Sequence, residues 1–223
     1  MRLHLPTRAV WVALLALLAL AGPPRQATAQ AALTRAQALS ALEQPEPARR
    51  AAAIARLADV GIMPDTERLA RRLNDDVDEL RELANLAMWQ IWGRSGDRAI
   101  DALFQRGVEQ MEASDLDEAV VTFSEIIRRK PAFAEGWNKR ATIHFLMGNL
   151  DASLKDCQEV LKRNRLHYGA LSGMGQIYLQ QGDLERALGH FQRALKINPN
   201  LPGVTDAVRL LERHRGPVPR LTT

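Results

Sequence analysis

The chain has 223 residues, 46% hydrophobic and 25% charged, with 30 Lys and Arg against 26 Asp and Glu. Its one cysteine, Cys157, excludes an intramolecular disulfide framework, so packing must hold the fold. Ala and Leu are abundant, aromatics are few and runs of β-branched residues are nearly missing, a composition that points to an all-helical protein.

Arg2 and Arg8 precede an uncharged apolar run from Ala9 to Ala21, followed by Gly22-Pro23-Pro24 and the small triplet Ala27-Thr28-Ala29. This is the order of a secretory signal peptide over residues 1–29, with cleavage expected between Ala29 and Gln30. A retained anchor is the competing reading, but the 13 residues of the run fall short of the roughly 18 to 20 that span a bilayer. No cysteine near the cleavage point offers a lipid attachment. The expected product is exported, periplasmic or secreted, with no stable membrane anchor after cleavage, and the leader suits a bacterial envelope. Losing the three leader arginines leaves 27 basic against 26 acidic residues, which is no nucleic-acid footprint.

Residues 30–96 have a helical pattern with a step of 31, seen in Leu42 and Leu73, Arg50 and Arg81, Ala53 and Ala84, Leu57 and Met88, and Val60 and Ile91. A helix is expected from Pro47 to the "DVG" at residue 61, a short one within "IMPDTERLARRLND", and a longer one within "DDVDELRELANLAMWQIWGRSGD". The acidic turn before an Arg and a small-residue helix resembles short HEAT-type repeats, although the step is shorter than the roughly 40 to 47 residues of that class. Degenerate copies of the units that follow are the competing reading, and on either one the region extends the solenoid. Trp89 and Trp92, three apart on one helix, either seal a junction with the next region or stand exposed as a binding anchor. The breaker "GRSG" after them marks the expected boundary.

A second step, of 34 residues, governs the rest of the chain. It links Pro131, Arg165 and Pro199; Gly107, Ala141 and Gly175; Ala119, Ser153 and Ala187; and Phe123, Cys157 and Phe191. Gly148 and Gly182 share another column, with Ser114 in the equivalent earlier place. Each column has a physical use. Small residues let two helices cross closely, a glycine after the first helix reverses the chain, Asp151 and Asp183 favour the start of the second helix, and proline ends it. Within "EGWNKRATIHFLMGN", Asn138, Lys139 and Arg140 are expected on a polar helix face. The middle copy departs from the pattern at His144, Ser153, Cys157 and Arg165 and is expected to be the softest.

These columns resemble the tetratricopeptide repeat, most closely in "GMGQIYLQQGDLERALGHFQRALKINP". The resemblance implies an all-α, right-handed solenoid of stacked antiparallel helix pairs, with units at about 100–131, 134–165 and 168–199 inside a 97–199 domain. A capping helix is expected over 200–215, with Val204, Val208, Leu210 and Leu211 on its apolar side, and a frayed tail over 216–223. By the same resemblance the first helix of each unit lines a concave groove that binds a protein or peptide. Its positions here are Phe104, Val108 and Met111; Asn138, Thr142 and Phe145; and Ser172, Gln176 and Leu179. The clamp that one subfamily uses for acidic chaperone tails is missing, because its places hold Phe104, Val108, Gly169 and Gly173.

Catalytic and metal chemistry find little support. His144, His167, His190 and His214 lie in different segments without zinc-type spacing, and the carboxylates from Asn74 to Glu79 lack the calcium-loop glycine. There is no nucleophile motif and no phosphate loop. No cofactor is expected. Cys157 reads as a buried small residue, with a reactive thiol as the competing reading. The expected function is noncatalytic: an exported scaffold or adaptor with a partner segment in the groove. The alternatives are a cell-envelope or glycan-associated accessory factor, and an enzyme that would need a pocket near Trp89, Trp92 and Phe104.

Overall fold

The 34-residue step becomes three antiparallel helix pairs: α5 (Arg98–Glu112) with α6 (Leu116–Arg129), α7 (Ala134–Leu146) with α8 (Leu150–Arg163), and α9 (Tyr168–Gln180) with α10 (Leu184–Ile197). Four helices precede them, α1 (Arg35–Ala41), α2 (Pro47–Val60), α3 (Thr66–Arg72) and α4 (Asp78–Trp92), and α11 (Pro202–His214) follows. The computed structural model describes residues 32–214, and among these no strand occurs and no helix is long and apolar enough to cross a membrane. The leader at 1–29 and the tail at 216–223 lie outside the described residues.

Each pair turns in the same way. Ser114, Gly148 and Gly182 take φ of 63°, 78° and 77°. The residues that follow them, Asp115, Asn149 and Asp183, donate their amides to the carbonyls of Gln110, His144 and Tyr178 at 2.8, 2.8 and 2.9 Å. This is the Schellman closure, in which a left-handed residue lets the last carbonyls of a helix find donors. Asp183 then caps α10 by accepting the Arg186 amide at 2.9 Å. Asp151 does not cap α8: Asn149 precedes that helix and Asp151 lies in its first turn, where it serves only the dipole.

The small column works by contact. A Cβ on Gly107 would stand 2.6 Å from Phe123 Cζ, and one on Gly175 would stand 2.5 Å from Phe191 Cδ1. Phe123 and Phe191 are almost wholly buried. In the middle unit both members change together: Ala141 carries the extra methyl, and Cys157 replaces the ring that would have met it.

The N-terminal helices do not simply lengthen the stack. One core runs from Ala38, Leu57, Leu73 and Met88 through Trp92 into Tyr168, Leu171 and Ala194 of the third unit. Trp92 is 2% exposed and Trp89 half-buried, with the Trp92 ring stacked on His167 at 4.8 Å and Trp89 edge-on to Tyr168 at 5.8 Å. The Tyr168 hydroxyl donates to Asn85 Oδ1, and Asn200 Nδ2 donates to the Leu73 carbonyl at 2.6 Å. The tryptophans therefore seal the α4 helix to the α8–α9 turn instead of standing free.

Inside the N-terminal region arginines hold the turns. Arg50 grips Asp75 through both arms at 2.9 and 2.8 Å, and Arg35 reaches Asp65 at 2.7 Å. At the other end α11 buries Val208 and Leu211 against α10, with Val204 partly covered. Leu210 departs from the expected apolar side and is 49% exposed, because a turn of 100° per residue carries it away from the Val208–Leu211 stripe.

Candidate partner-binding groove

The first helices α5, α7 and α9 lie side by side along one face, as the packing of α5 on α7 and of α7 on α9 requires. Between α7 and α9 opens a pocket of about 120 Å³. Asn138, Thr142 and Phe145 form one wall, Gly173 and Gln176 the other, and Ala141, Ser153 and Cys157 also line it. The pocket exists because the middle unit lacks its phenylalanine: Cys157 Sγ is the nearest neighbour a Cβ on Gly173 would meet, and it is 3.9 Å away.

Four of the nine expected groove residues, Asn138, Thr142, Phe145 and Gln176, thus share one cavity. Thr142 and Gln176 are exposed, and Phe145 is half-buried. Asn138 is held in place by donating to Glu135 Oε2 at 2.9 Å, and Thr142 donates its hydroxyl to the Asn138 carbonyl at 3.0 Å. Ser172 and Leu179 lie on the same helix as Gln176 but outside the cavity, with Leu179 40% exposed. Val108 and Met111 are partly buried against the core of the first unit. Phe104 is a departure. It is 8% exposed and packs edge-on to Phe123 and Phe133 at 5.7 and 5.5 Å, so it stabilises the first unit and offers no groove surface.

The charged side chains nearby are committed to structure. Arg140, expected on a polar face, instead makes a two-armed bridge to the buried Asp156 at 2.8 Å and reaches Ser124 Oγ at 2.9 Å, tying α7 to α8 and α6. Burial pushes the Cys157 thiol up to about 12, with the Asp156 charge adding to the effect, so at neutral pH it is a weakly polar surface and not a nucleophile.

Beneath Asn138 lies a pair that sequence reasoning missed. Glu135 Oε1 stands 2.7 Å from His167 Nε2, and His167 Nδ1 accepts the Ala170 amide at 3.0 Å, with both side chains buried. Burial alone would raise the Glu135 carboxyl, but His167 and then Asn138 favour its ionised form and hold it below the ordinary range. Its signal was a carboxylate at an apolar helix start, 32 residues before a histidine at the next one. Among the described residues no group of three His, Cys, Asp or Glu is placed to hold a metal ion.

Residues 168–201 match the tetratricopeptide repeat family model. The chain carries tetratricopeptide repeats. It is 36% identical over 136 residues to a TPR repeat-containing protein of Rhizobium etli, covering 61% of this chain and 66% of that one. To the wheat (Triticum aestivum) Hsp70-Hsp90 organizing protein it is 25% identical over 105 residues, or 47% of this chain and 18% of that one. The chain thus spans just under two thirds of one curated relative and less than a fifth of the other. Among solved structures it is similar to the Yersinia enterocolitica type III secretion chaperone SycD in complex with a YopD peptide. That match has 13% identity and a TM-score of 0.51, covering 53% of this chain and 96% of that one. It is also similar to the first TPR of Spaghetti (RPAP3) bound to an HSP90 peptide, at 21% identity and a TM-score of 0.50, covering 53% and 94%. At such identities the tetratricopeptide fold is what is shared. That fold places Gly107 and Gly175 against their phenylalanines and leaves the α7–α9 face open.

Proposed function

We propose that this chain is an exported protein-interaction scaffold that seats an extended segment of a partner protein on the α5–α7–α9 face. Tetratricopeptide repeats are as a rule noncatalytic interaction modules, and the peptides named with the SycD and RPAP3 structures fit that role. The observation that carries the reading is the pocket where Asn138, Thr142, Phe145 and Gln176 meet over Cys157. Its apolar floor suits one small aliphatic side chain, and the amides and hydroxyl around its mouth suit an extended backbone. Export is supported by the basic, apolar and small-residue order of residues 1–29.

Selection of a peptide library on the mature chain, residues 30–223, tests the groove. Peptides with a shared aliphatic position are expected, and replacing Phe145 by Ala or closing the pocket with Ala141→Gly and Cys157→Phe together should abolish their binding. Equal binding by the pocket-filled variant refutes the groove reading. Export is tested by sequencing the N-terminus of the protein recovered from the envelope fraction, where Gln30 is expected and an intact Met1 in the cytoplasm refutes it. A glycan-contact role has lost its best support, since the tryptophan pair it needed is packed against His167 and Tyr168.

A further inference from the structure

A second cavity, about 270 Å³ in volume, opens where the end of α4 meets the turn between α6 and α7, away from the pocket over Cys157. Met63, Trp92 and Phe133 give it apolar walls, and Arg94, Lys130 and Arg163 bring three cations to it, with no carboxylate in its lining. Arg163 already pairs with Glu159 at 2.6 Å. Arg94 donates to the carbonyls of Ala58, Asp59 and Gly61, at 2.5, 2.8 and 2.9 Å, which fixes it at the carbonyl end of α2 without an ion pair to a carboxylate. Lys130 makes no ion pair among the described residues. The nearby acids already have partners: Asp101 accepts the amide of the lining residue Ser95 at 2.9 Å, Asp97 accepts the amides of Ala99 and Ile100 while feeling the charge of Lys130, and Glu135 is closed by His167 and Asn138.

Two further features share this wall. Trp92 is 2% exposed, yet its indole N–H finds no acceptor among the described residues. That nitrogen is closed to solvent, so the cavity meets the carbons of the Trp92 ring and not its N–H. The α7 helix begins at the cavity, and its N-cap Phe133 supplies no side-chain acceptor to the free amides of the first turn.

We infer that this cavity binds a small organic anion, a monocarboxylate on a short apolar or aromatic body. The head would lie with Lys130 beside Arg94, while the body would fill the space between Met63, Trp92 and Phe133. A bare inorganic anion would satisfy the charges but leave the apolar walls uncovered. This inference stands independently of the groove reading, because no residue lines both cavities.

The test titrates the mature chain with phenylacetate, following tryptophan indole N–H resonances by NMR and heat by calorimetry. Phenylacetamide, its neutral analogue, and inorganic phosphate are the comparison probes. Saturable binding of phenylacetate is expected, weakening with salt and shifting one indole resonance that Trp92→Phe removes. Lys130→Gln, a change on a partly exposed turn, should weaken it by about tenfold, the size expected for one charge-assisted hydrogen bond. Phenylacetamide and phosphate should each bind at least about tenfold more weakly. Phenylacetamide binding as well as phenylacetate, phosphate binding as well as either, an unchanged affinity in a folded Lys130→Gln variant, or no saturable shift at all would each overturn the inference.

Discussion

Gly175 lies flat against the ring of Phe191, so that a Cβ at residue 175 would stand 2.5 Å from two ring carbons. Gly107 repeats the relationship with Phe123, and Ala141 with Cys157 is its compensated form. Gly175→Ala should therefore destabilise the chain by about 1–3 kcal/mol, the cost of overpacking a close helix crossing. Cys157→Phe alone should be destabilising for the same reason. Combined with Ala141→Gly it should recover most of the loss, giving a coupling of about 1–3 kcal/mol between two residues in contact. Urea denaturation of the two single variants and the double variant measures this, and additive effects would contradict the compensated pairing.

Ser114 holds the turn that Gly148 and Gly182 hold in the later units, at φ of 63°. A side chain in the left-handed region costs about 1–2 kcal/mol, of which glycine returns part as greater unfolded-state freedom. Ser114→Gly should raise stability by several tenths to about 1 kcal/mol. Ser114→Ala, which keeps the Cβ, should give no such gain. Thermal melts of both variants decide the matter.

What could be read from the sequence was what recurs within a unit. The small-residue crossing and the left-handed turn are fixed by neighbours within about one helix pair and leave a mark every 34 residues. The helix stop does not need its proline: α8 ends at Arg163, in register with α6 and α10, with Arg165 in the proline's place. The attachment of the N-terminal helices left none. It joins Asn85 to Tyr168 and Leu73 to Asn200, pairs separated by 83 and 127 positions with no counterpart in the other units. The groove was half visible. Asn138, Thr142, Phe145 and Gln176 share a cavity, but Phe104 was drawn inward by Phe133, a residue outside the repeat columns. The pocket itself was written in the joint departure of Ala141 and Cys157, which marks missing volume only once the two are known to touch.

The buried Arg50–Asp75 pair gives the fold a dependence on acid. Its side chains are 6% and 1% exposed. Burial alone would raise the Asp75 carboxyl, but the Arg50 hydrogen bonds and the Val77 amide outweigh it and hold the group below its ordinary value. A folded-state pKa below the unfolded one, about 3.9 for Asp, contributes stability that is present above about pH 4 and lost as pH falls through the lower folded value. Asp65, also held low with Arg35 beside it, adds to the same window. Stability measured against pH should decline on the acid side of about pH 4, and Asp75→Asn should flatten that decline. At neutral pH Arg50→Ala should cost up to about 3–5 kcal/mol, because it leaves the buried Asp75 carboxylate with only the Arg72 contact at 3.4 Å and the Val77 amide at 3.2 Å.

The seal between α4 and the third unit predicts that the two unfold together. Trp92 packs on His167, Trp89 fills the space that a side chain at Gly169 would occupy, and Tyr168 and Leu171 complete the core that α2 and α4 begin. Trp92→Ala removes the ring at the centre of this contact, and deleting a buried aromatic costs about 3–5 kcal/mol. Because the loss falls on a shared core, hydrogen exchange in this variant should show amides of α4 and α9 losing protection by similar factors. Those of α5 and α6, whose core is built around Phe104, Phe123 and Phe133, should change less. If α4 alone loses protection while α9 stays as slow as before, the third unit holds itself together and the N-terminal helices only lean on it.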